Sequence, residues 1–194
     1  MNKWIMAVML VIGANFISIA NARSETNNII LINIPHFGKV PYQRLFEMIS
    51  NQGESEDSFA MAVASRLRAF TNATEFEACG VIAHDSVGHF GVVIGTNEGH
   101  AACANFSDKI PNGMIASDDT IHSHLTALTY RANRTDRIFL GLLVTKGEII
   151  SPDKADLFSD EDFQEPGYLV GGDRLWHQKG KATVRLVGNF TPQG

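Results

Sequence analysis

The sequence predicts an α+β protein with a mixed β-sheet and flanking helices. One segment, starting near residue 57, combines helical length with regular apolar spacing, and four consecutive strand-like segments follow it. A repeating βαβ protein would alternate the two kinds of segment, so this run of strands favours the α+β class. The length of 194 residues and the charged fraction of 19% fit one ordered domain.

The first 22 residues have the pattern of a secretory signal peptide. Lys3 supplies the positive start, residues 4–20 are almost entirely apolar, and Ala20-Asn21-Ala22 matches an A-x-A cleavage site. We therefore expect cleavage after Ala22 and a secreted or periplasmic mature protein that begins at Arg23. A retained membrane anchor is the alternative, because the apolar run is almost long enough to span a bilayer.

Residues 23–56 are predicted to be an N-terminal extension of a domain that covers residues 57–194. Within the extension, residues 27–35 hold a β-branched run typical of a strand, and residues 41–49 carry apolar side chains at helical spacing. The segment 51–56 is polar, as linkers often are, so the boundary is placed there.

The domain begins with the clearest helix of the chain, for which Asp57 or Ser58 is the expected cap. Four strands should follow, at residues 78–83, 90–95, 101–106 and 120–124. The apolar run 138–144 favours a fifth strand, and a helical turn is expected at 159–163. Short strands are then predicted at 167–171, 174–177 and 184–188.

The two cysteines are Cys79 and Cys103. In an oxidising compartment a single disulfide between them is the default expectation. Two buried free thiols are the alternative, because both residues lie in apolar surroundings. Neither belongs to a C-x-x-C pair, which argues against zinc binding by the cysteines.

The net charge of −5 argues against a nucleic-acid partner, which would select a basic face. No segment after the signal peptide is apolar enough to span a bilayer, so no membrane association is expected once the signal has been removed.

The chemistry of the chain centres on His122 and His124. Residues i and i+2 of a strand point to the same face, so the two imidazoles can converge on one ion. Zinc accepts imidazole nitrogen, and its catalytic sites use three protein ligands and leave a fourth position for water. A third ligand and a base must therefore come from elsewhere in the chain.

Two further motifs are Glu77-Ala78-Cys79-Gly80 and Ser159-Asp160-Glu161-Asp162. With the His122-Ser123-His124 triplet, they make residues 57–190 resemble the JAB/MPN metallopeptidases of the JAMM type. That family's pattern is a glutamate, often followed by Cys-Gly, then H-[ST]-H and S-x-x-D. Some bacterial domains, including ones in secreted toxins, are also similar and have a long interval before the serine, comparable to residues 125–158 here.

The resemblance implies a JAB/MPN (cytidine deaminase-like) architecture and a zinc ion held by His122, His124 and Asp162. It also implies that Glu77 is the general base, which takes a proton from zinc-activated water and passes it to the leaving amine. Ser159 is then expected to donate a hydrogen bond to the developing oxyanion.

Several alternatives remain open at this point. Asp136 is the rival third ligand, Glu75 is the rival base, and Ser159 with Asp162 also has the form of an ordinary capping box. The other five histidines show no ligand spacing and are interpreted as surface or core residues.

The expected function is hydrolysis of an amide bond in a peptide, an isopeptide or a cell-wall peptide. The segment 125–158 is the expected place for substrate selection, since functional loops commonly sit on rigid scaffolds. Two alternatives are a non-catalytic binding module of the same fold and a secreted effector or accessory protein with a toxin or secretion-system partner.

Overall fold

A computed structural model describes residues 28–141, 144–151 and 157–191 of the chain. These residues form an α+β fold built on a mixed sheet, which confirms the predicted fold class. The predicted signal peptide and its cleavage site lie outside the described residues. No helix within the described ranges has both the length and the apolar character needed to cross a membrane.

The described residues contain ten strands and two α-helices. The strands are β1 (Ile30–Ile34), β2 (Gly38–Ile49), β3 (Cys79–His84), β4 (Phe90–Thr96), β5 (Ile115–Ser123), β6 (Tyr130–Arg131), β7 (Ile149–Ile150), β8 (Gly167–Gly171), β9 (Arg174–Gln178) and β10 (Arg185–Asn189). The helices are α1 (Glu56–Thr74) and α2 (Arg134–Phe139), and 3₁₀ turns occur at Glu161–Gln164 and Lys181–Thr183.

Eight strands form the main sheet, in the order β1-β2-β4-β3-β5-β8-β9-β10. Strands β5 and β8 are parallel, and the other paired strands of this sheet are antiparallel. Strands β6 and β7 form a separate two-stranded ribbon. Strand β5 is therefore central in the sheet, with β3 on one side and β8 on the other.

Helix α1 packs on the sheet and supplies much of the core. Its apolar side chains Phe59, Val63 and Leu67 are fully buried in one cluster with Ile121 of β5 and Val170 of β8. Burial of side chains of this size contributes about 1.5–3 kcal/mol each. The helix is thus fixed against the two strands that run in parallel at the centre of the sheet.

The position of α1 confirms the predicted helix but not its predicted cap. Ser55 is the N-cap residue, and its side chain accepts a hydrogen bond from the backbone N–H of Ser58. Asp57 lies inside the first turn, where its carboxylate pairs with Arg185 at 2.8 Å. The interaction with the distant strand β10 could not be inferred from the local sequence.

The prediction of a helix at residues 41–49 is wrong, because this segment belongs to β2. Val40 and Tyr42 are buried at alternate positions, and the strand pairs with both β1 and β4. Pairing with the sheet outweighs the helical spacing of the apolar residues. Strands on both sides of the predicted boundary at 51–56 are therefore part of the same sheet.

Two predicted strands are also wrong. Residues 101–106 form no strand, and the backbone N–H of Ala104 donates instead to the side chain of Asn97 at 2.8 Å. The segment 138–144, of which residues 142 and 143 lie outside the described residues, begins inside helix α2. This helix is capped by Asn133 with a reciprocal bond to Asp136. This capping box favours a helix where the apolar run alone favoured a strand.

Candidate metal centre

The end of β5 carries the predicted histidine pair. His122 is in the strand and His124 follows it directly. Their Nε2 atoms lie 3.2 Å apart, so the two rings converge as the i, i+2 spacing predicts. The strand is paired on both sides at this point, with Cys79 of β3 and Leu169 of β8 opposite His122.

The residue between the two histidines helps to fix their backbone. Ser123 is fully buried, and its hydroxyl contacts the hydroxyl of Thr71 in α1 at 2.7 Å. The Ser123 hydroxyl also accepts a hydrogen bond from the backbone N–H of Ala78 at 3.2 Å. The serine of the His-Ser-His triplet therefore faces the helix while both imidazoles face the opposite side.

A buried arginine from α1 holds the same strand end. Arg68 is 2% exposed, and its guanidinium donates to the carbonyl oxygens of His124 at 3.0 Å and Val170 at 2.6 Å. Carbonyl oxygens that accept bonds from a charged donor are strongly fixed. Arg68 thus connects the helix, the end of β5 and the end of β8.

We expect Arg68→Met to lower the free energy of unfolding by about 2 kcal/mol, because the carbonyl of His124 loses its buried donor. Urea unfolding monitored by circular dichroism measures the change. Arg66→Met is the matched control on the same helix, since the guanidinium of Arg66 lies over the ring of Phe46 in β2 at 4.1 Å. Equal effects of the two substitutions would contradict the role assigned to Arg68.

Asp162 reaches the histidine pair from the 3₁₀ turn Glu161–Gln164. Its Oδ1 lies 3.2 Å from Nε2 of His122, and its Oδ2 lies 3.5 Å from Nε2 of His124. Gln178 of β9 donates from its side chain to the carbonyl oxygen of Asp162 at 2.8 Å, which ties the turn to the sheet. The predicted helical turn is present. It brings the carboxylate of Asp162, which is 38 residues from His124 in sequence, next to the two histidines.

The three ligand atoms have the spacing that one zinc ion needs. Among the described residues, His122, His124 and Asp162 form the one group of potential ligands that lie within 4.8 Å of one another. Bond lengths of about 2.0–2.2 Å in a tetrahedral site place neighbouring ligand atoms about 3.3–3.5 Å apart. The two Nε2 atoms are 3.2 Å apart, and each lies at a similar distance from one oxygen of Asp162, at 3.2 Å for His122 with Oδ1 and 3.5 Å for His124 with Oδ2.

The carboxylate of Asp162 is held in its ionised form. Burial alone would raise its pKa, but hydrogen bonds and charge interactions with His122 and His124 outweigh burial and lower the pKa well below its usual range. An ionised carboxylate beside two imidazoles is a suitable donor set for zinc.

Glu77 lies next to this group, two residues before the first residue of β3. Strands β3 and β5 are antiparallel with Cys79 opposite His122, so Glu77 comes opposite His124. Its backbone is fixed at both ends, since its N–H donates to Gly99 at 2.8 Å and its carbonyl accepts from Thr96 at 2.7 Å. The side chain is 4% exposed, and burial raises its pKa to about 8.

The rival base Glu75 has a different position. It is exposed, and it ends helix α1 in the left-handed conformation with φ of 63°. Its backbone N–H donates to the carbonyl of Thr71 at 2.8 Å, which closes the last turn of the helix. Its position is that of a helix-terminating residue, and it is not on the pocket wall.

The predicted site residues share one pocket of about 980 Å³. Its wall includes Glu77, His122, His124, Ser159 and Asp162, and it extends along the apolar side chains of Leu125, Tyr130, Phe139, Leu140 and Ile150. The described part of the segment 125–158 therefore contributes much of the pocket wall, next to the histidines.

Ser159 makes its contacts with Asp162. Both its hydroxyl and its backbone N–H donate to Oδ2 of that carboxylate, at 2.9 and 2.6 Å. In this arrangement Ser159 orients the carboxylate, as second ligand shells commonly do. Its predicted role as an oxyanion donor would need the hydroxyl to leave Asp162.

Asp136, the rival third ligand, is engaged elsewhere. It is 1% exposed, and its Oδ1 accepts from the backbone N–H of His100 at 2.7 Å. Its Oδ2 accepts from the backbone N–H of Asn133 and also contacts Nδ1 of His100, both at 2.8 Å. Both of its oxygens are therefore already occupied by protein donors.

The predicted disulfide between Cys79 and Cys103 is present. Cys79 lies two residues after Glu77, and Cys103 is part of the pocket wall. The bridge therefore ties the loop between β4 and β5 to the strand that carries the candidate base.

Comparison with known proteins gave no match to any family model, to any curated protein or to any solved structure. The geometry of the site and the order of its motifs are therefore the observations on which a function can be argued.

Proposed function

We propose that this chain is a secreted zinc-dependent hydrolase that cleaves an amide bond, built on a JAB/MPN-like architecture. The observation that carries the proposal is the convergence of His122, His124 and Asp162, whose ligand atoms all lie within 4.8 Å of one another. Glu77 beside them provides the acid–base group that a hydrolase of this kind requires.

Each residue has a defined task in this proposal. His122, His124 and Asp162 hold the ion, and Ser159 keeps the carboxylate of Asp162 oriented. A bound zinc ion would act as a Lewis acid that polarises the scissile carbonyl, and it would lower the pKa of the water bound to it. Glu77 accepts a proton from the attacking water and returns it to the leaving nitrogen.

The environment of Glu77 suits this proton transfer. Without the metal ion, burial raises the pKa of Glu77 to about 8, and the charge of a bound zinc ion would lower this pKa. A carboxyl group whose pKa lies near neutral pH can both accept and donate a proton. An ordinary exposed carboxyl group, with a pKa of about 4.3, would be a much weaker base. The protein environment thus brings an otherwise acidic group into the range of general acid–base catalysis.

The proposed substrates are a peptide, an isopeptide or a cell-wall peptide, and the proposed location is the periplasm or the cell exterior. The disulfide supports this location, because such bonds persist in oxidising compartments and are rare in reducing ones. The architecture is supported by the order of the motifs along the chain, with the glutamate before β3, the histidines at the end of β5 and the serine and aspartate before β8.

The zinc content of the purified protein tests the proposal. We expect about one zinc per chain by elemental analysis after dialysis, and less than a tenth of that in a His122→Ala/His124→Ala variant, because two of three ligands are lost. His84→Ala is the control, since His84 ends β3 and is exposed. A wild-type protein that takes up no zinc after it has been supplied would refute the proposed function.

Asp162→Ala and Asp136→Ala should differ sharply in zinc content. We expect the first to lose zinc affinity by at least tenfold and the second to retain it, because Asp136 is already engaged by His100 and Asn133. Competition with a chromogenic chelator measures both affinities. Full zinc affinity in Asp162→Ala, together with loss of zinc affinity in Asp136→Ala, would identify Asp136 as the third ligand in place of Asp162.

A further inference from the structure

A histidine–aspartate pair lies on the pocket wall apart from the proposed zinc ligands. Nδ1 of His100 is 2.8 Å from Oδ2 of Asp136, and the backbone N–H of His100 donates to Oδ1 at 2.7 Å. His100 lines the pocket, whereas the fully buried Asp136 lies behind it. The two residues are 36 apart in sequence, and no local pattern predicts that they pair.

Aromatic side chains fix the orientation of the His100 ring. The ring stacks on Tyr130 with centroids 5.0 Å apart and planes 14° from parallel. Phe76 contacts it edge-on, also at 5.0 Å. Because Nδ1 of His100 faces Asp136, Nε2 points away from that carboxylate.

The chemistry of Asp136 decides what Nε2 can do. Burial raises the pKa of Asp136, but hydrogen bonds from His100 and Asn133 outweigh burial and lower it below its usual range. An ionised carboxylate only accepts hydrogen bonds, so Nδ1 of His100 must carry the proton. In the neutral imidazole, Nε2 then has a free lone pair and is an acceptor.

The rest of the pocket wall is also rich in acceptors. Its carboxyl side chains are Glu77, Asp160, Glu161, Asp162 and Glu165, of which Asp160 is paired with Lys181 at 2.6 Å. The described residues that line the pocket include neither lysine nor arginine. The side-chain oxygen of Asn105, another wall residue, is buried without a hydrogen-bond partner among the described residues. A ligand that donates hydrogen bonds suits such a wall better than an anionic ligand.

We propose that His100 is a substrate-binding residue that accepts a hydrogen bond through Nε2, so that the pocket selects amide substrates carrying an amine or ammonium group near the scissile bond. This inference rests on the proposed function, since it concerns the substrate of the same site. Asp136 is then a positioning residue, which fixes the tautomer and the orientation of the ring.

Three small hydroxamates of matched length test the proposal on the zinc-loaded protein. β-Alanine hydroxamate carries an ammonium group, succinic monohydroxamate carries a carboxylate in its place, and butyrohydroxamate is neutral. We expect the ammonium probe to bind at least tenfold more tightly than the carboxylate probe by isothermal titration calorimetry. The measurements are made at mildly alkaline pH.

Two substitutions test whether the preference for the ammonium probe depends on His100 and Asp136. His100→Phe keeps a flat ring against Tyr130 and removes Nε2, so the preference should fall at least threefold. Asp136→Asn can donate to Nδ1 and shift the proton to Nε2, so the preference should also fall, with folding checked by circular dichroism. His89→Phe is the matched control, because His89 pairs with Asp85 at 2.7 Å outside the pocket and its loss should leave the preference unchanged.

Equal binding of the ammonium and carboxylate probes to the wild type would overturn the inference, as would an unchanged preference in both His100→Phe and Asp136→Asn. A protein that binds no zinc would refute the proposed function separately. In that case the side-chain ¹⁵N resonances of His100 are followed while propylammonium chloride or sodium propionate is added. A shift of the Nε2 resonance with propylammonium supports the acceptor role, and a shift only with propionate overturns it.

Discussion

Glu77→Gln is expected to lower the hydrolysis rate by about 10²–10⁴-fold, the usual contribution of a general acid–base group. The amide of glutamine has nearly the shape of the carboxyl group but cannot take a proton from water. Zinc content should stay near one per chain, because the proposed ligands are His122, His124 and Asp162 and do not include Glu77. The assay is single-turnover hydrolysis of the best substrate from a screen of peptides and cell-wall peptides, beside elemental analysis of the same sample.

Glu75→Gln is the matched control for this substitution. It makes the same chemical change two residues earlier, at an exposed position that ends helix α1. The hydrolysis rate of the Glu75→Gln variant should remain within about twofold of the wild-type rate. Loss of zinc in Glu77→Gln would show that this residue is a ligand, and an undiminished rate would show that it is not the base.

Local patterns sufficed for the parts of the fold that depend on neighbouring residues. The hairpin of β3 and β4 and the short strands β8 to β10 follow from short runs of apolar residues bounded by glycine turns. The convergence of His122 and His124 follows from the strand period alone. The motif predicts Asp162 as the third ligand, but its contact with the histidines is visible only in the structure.

Interactions between distant segments explain what the sequence could not predict. Strand β2 carries a helical spacing of apolar residues, but its pairing with β4 decides its conformation. Arg68 has no local signal that would mark it, although it holds the carbonyl of His124 across 56 residues. His100 and Asp136 are 36 residues apart in sequence and meet only because helix α2 packs beside the loop after β4.

Removal of the disulfide by Cys79→Ala/Cys103→Ala is expected to lower the free energy of unfolding by about 3.5 kcal/mol, the chain-entropy value for a loop of this length. The two cysteines are separated by 24 residues, so the reduced chain gains much conformational freedom when it unfolds. Urea unfolding of the zinc-free protein measures the change. Addition of a phosphine reductant should destabilise the wild type by a similar amount and leave the double variant unaffected.

The same double variant distinguishes the effect of the disulfide on the pocket wall from its effect on the proposed metal ligands. The disulfide anchors the loop that carries His100 and Cys103, whereas the proposed zinc ligands lie at the end of β5 and in the 3₁₀ turn Glu161–Gln164. We therefore expect the double variant to keep its zinc while its preference for the ammonium probe falls. Loss of zinc together with the disulfide would show that the loop also holds the metal site in place, and a reductant without effect on the wild type would contradict the stabilising role of the bridge.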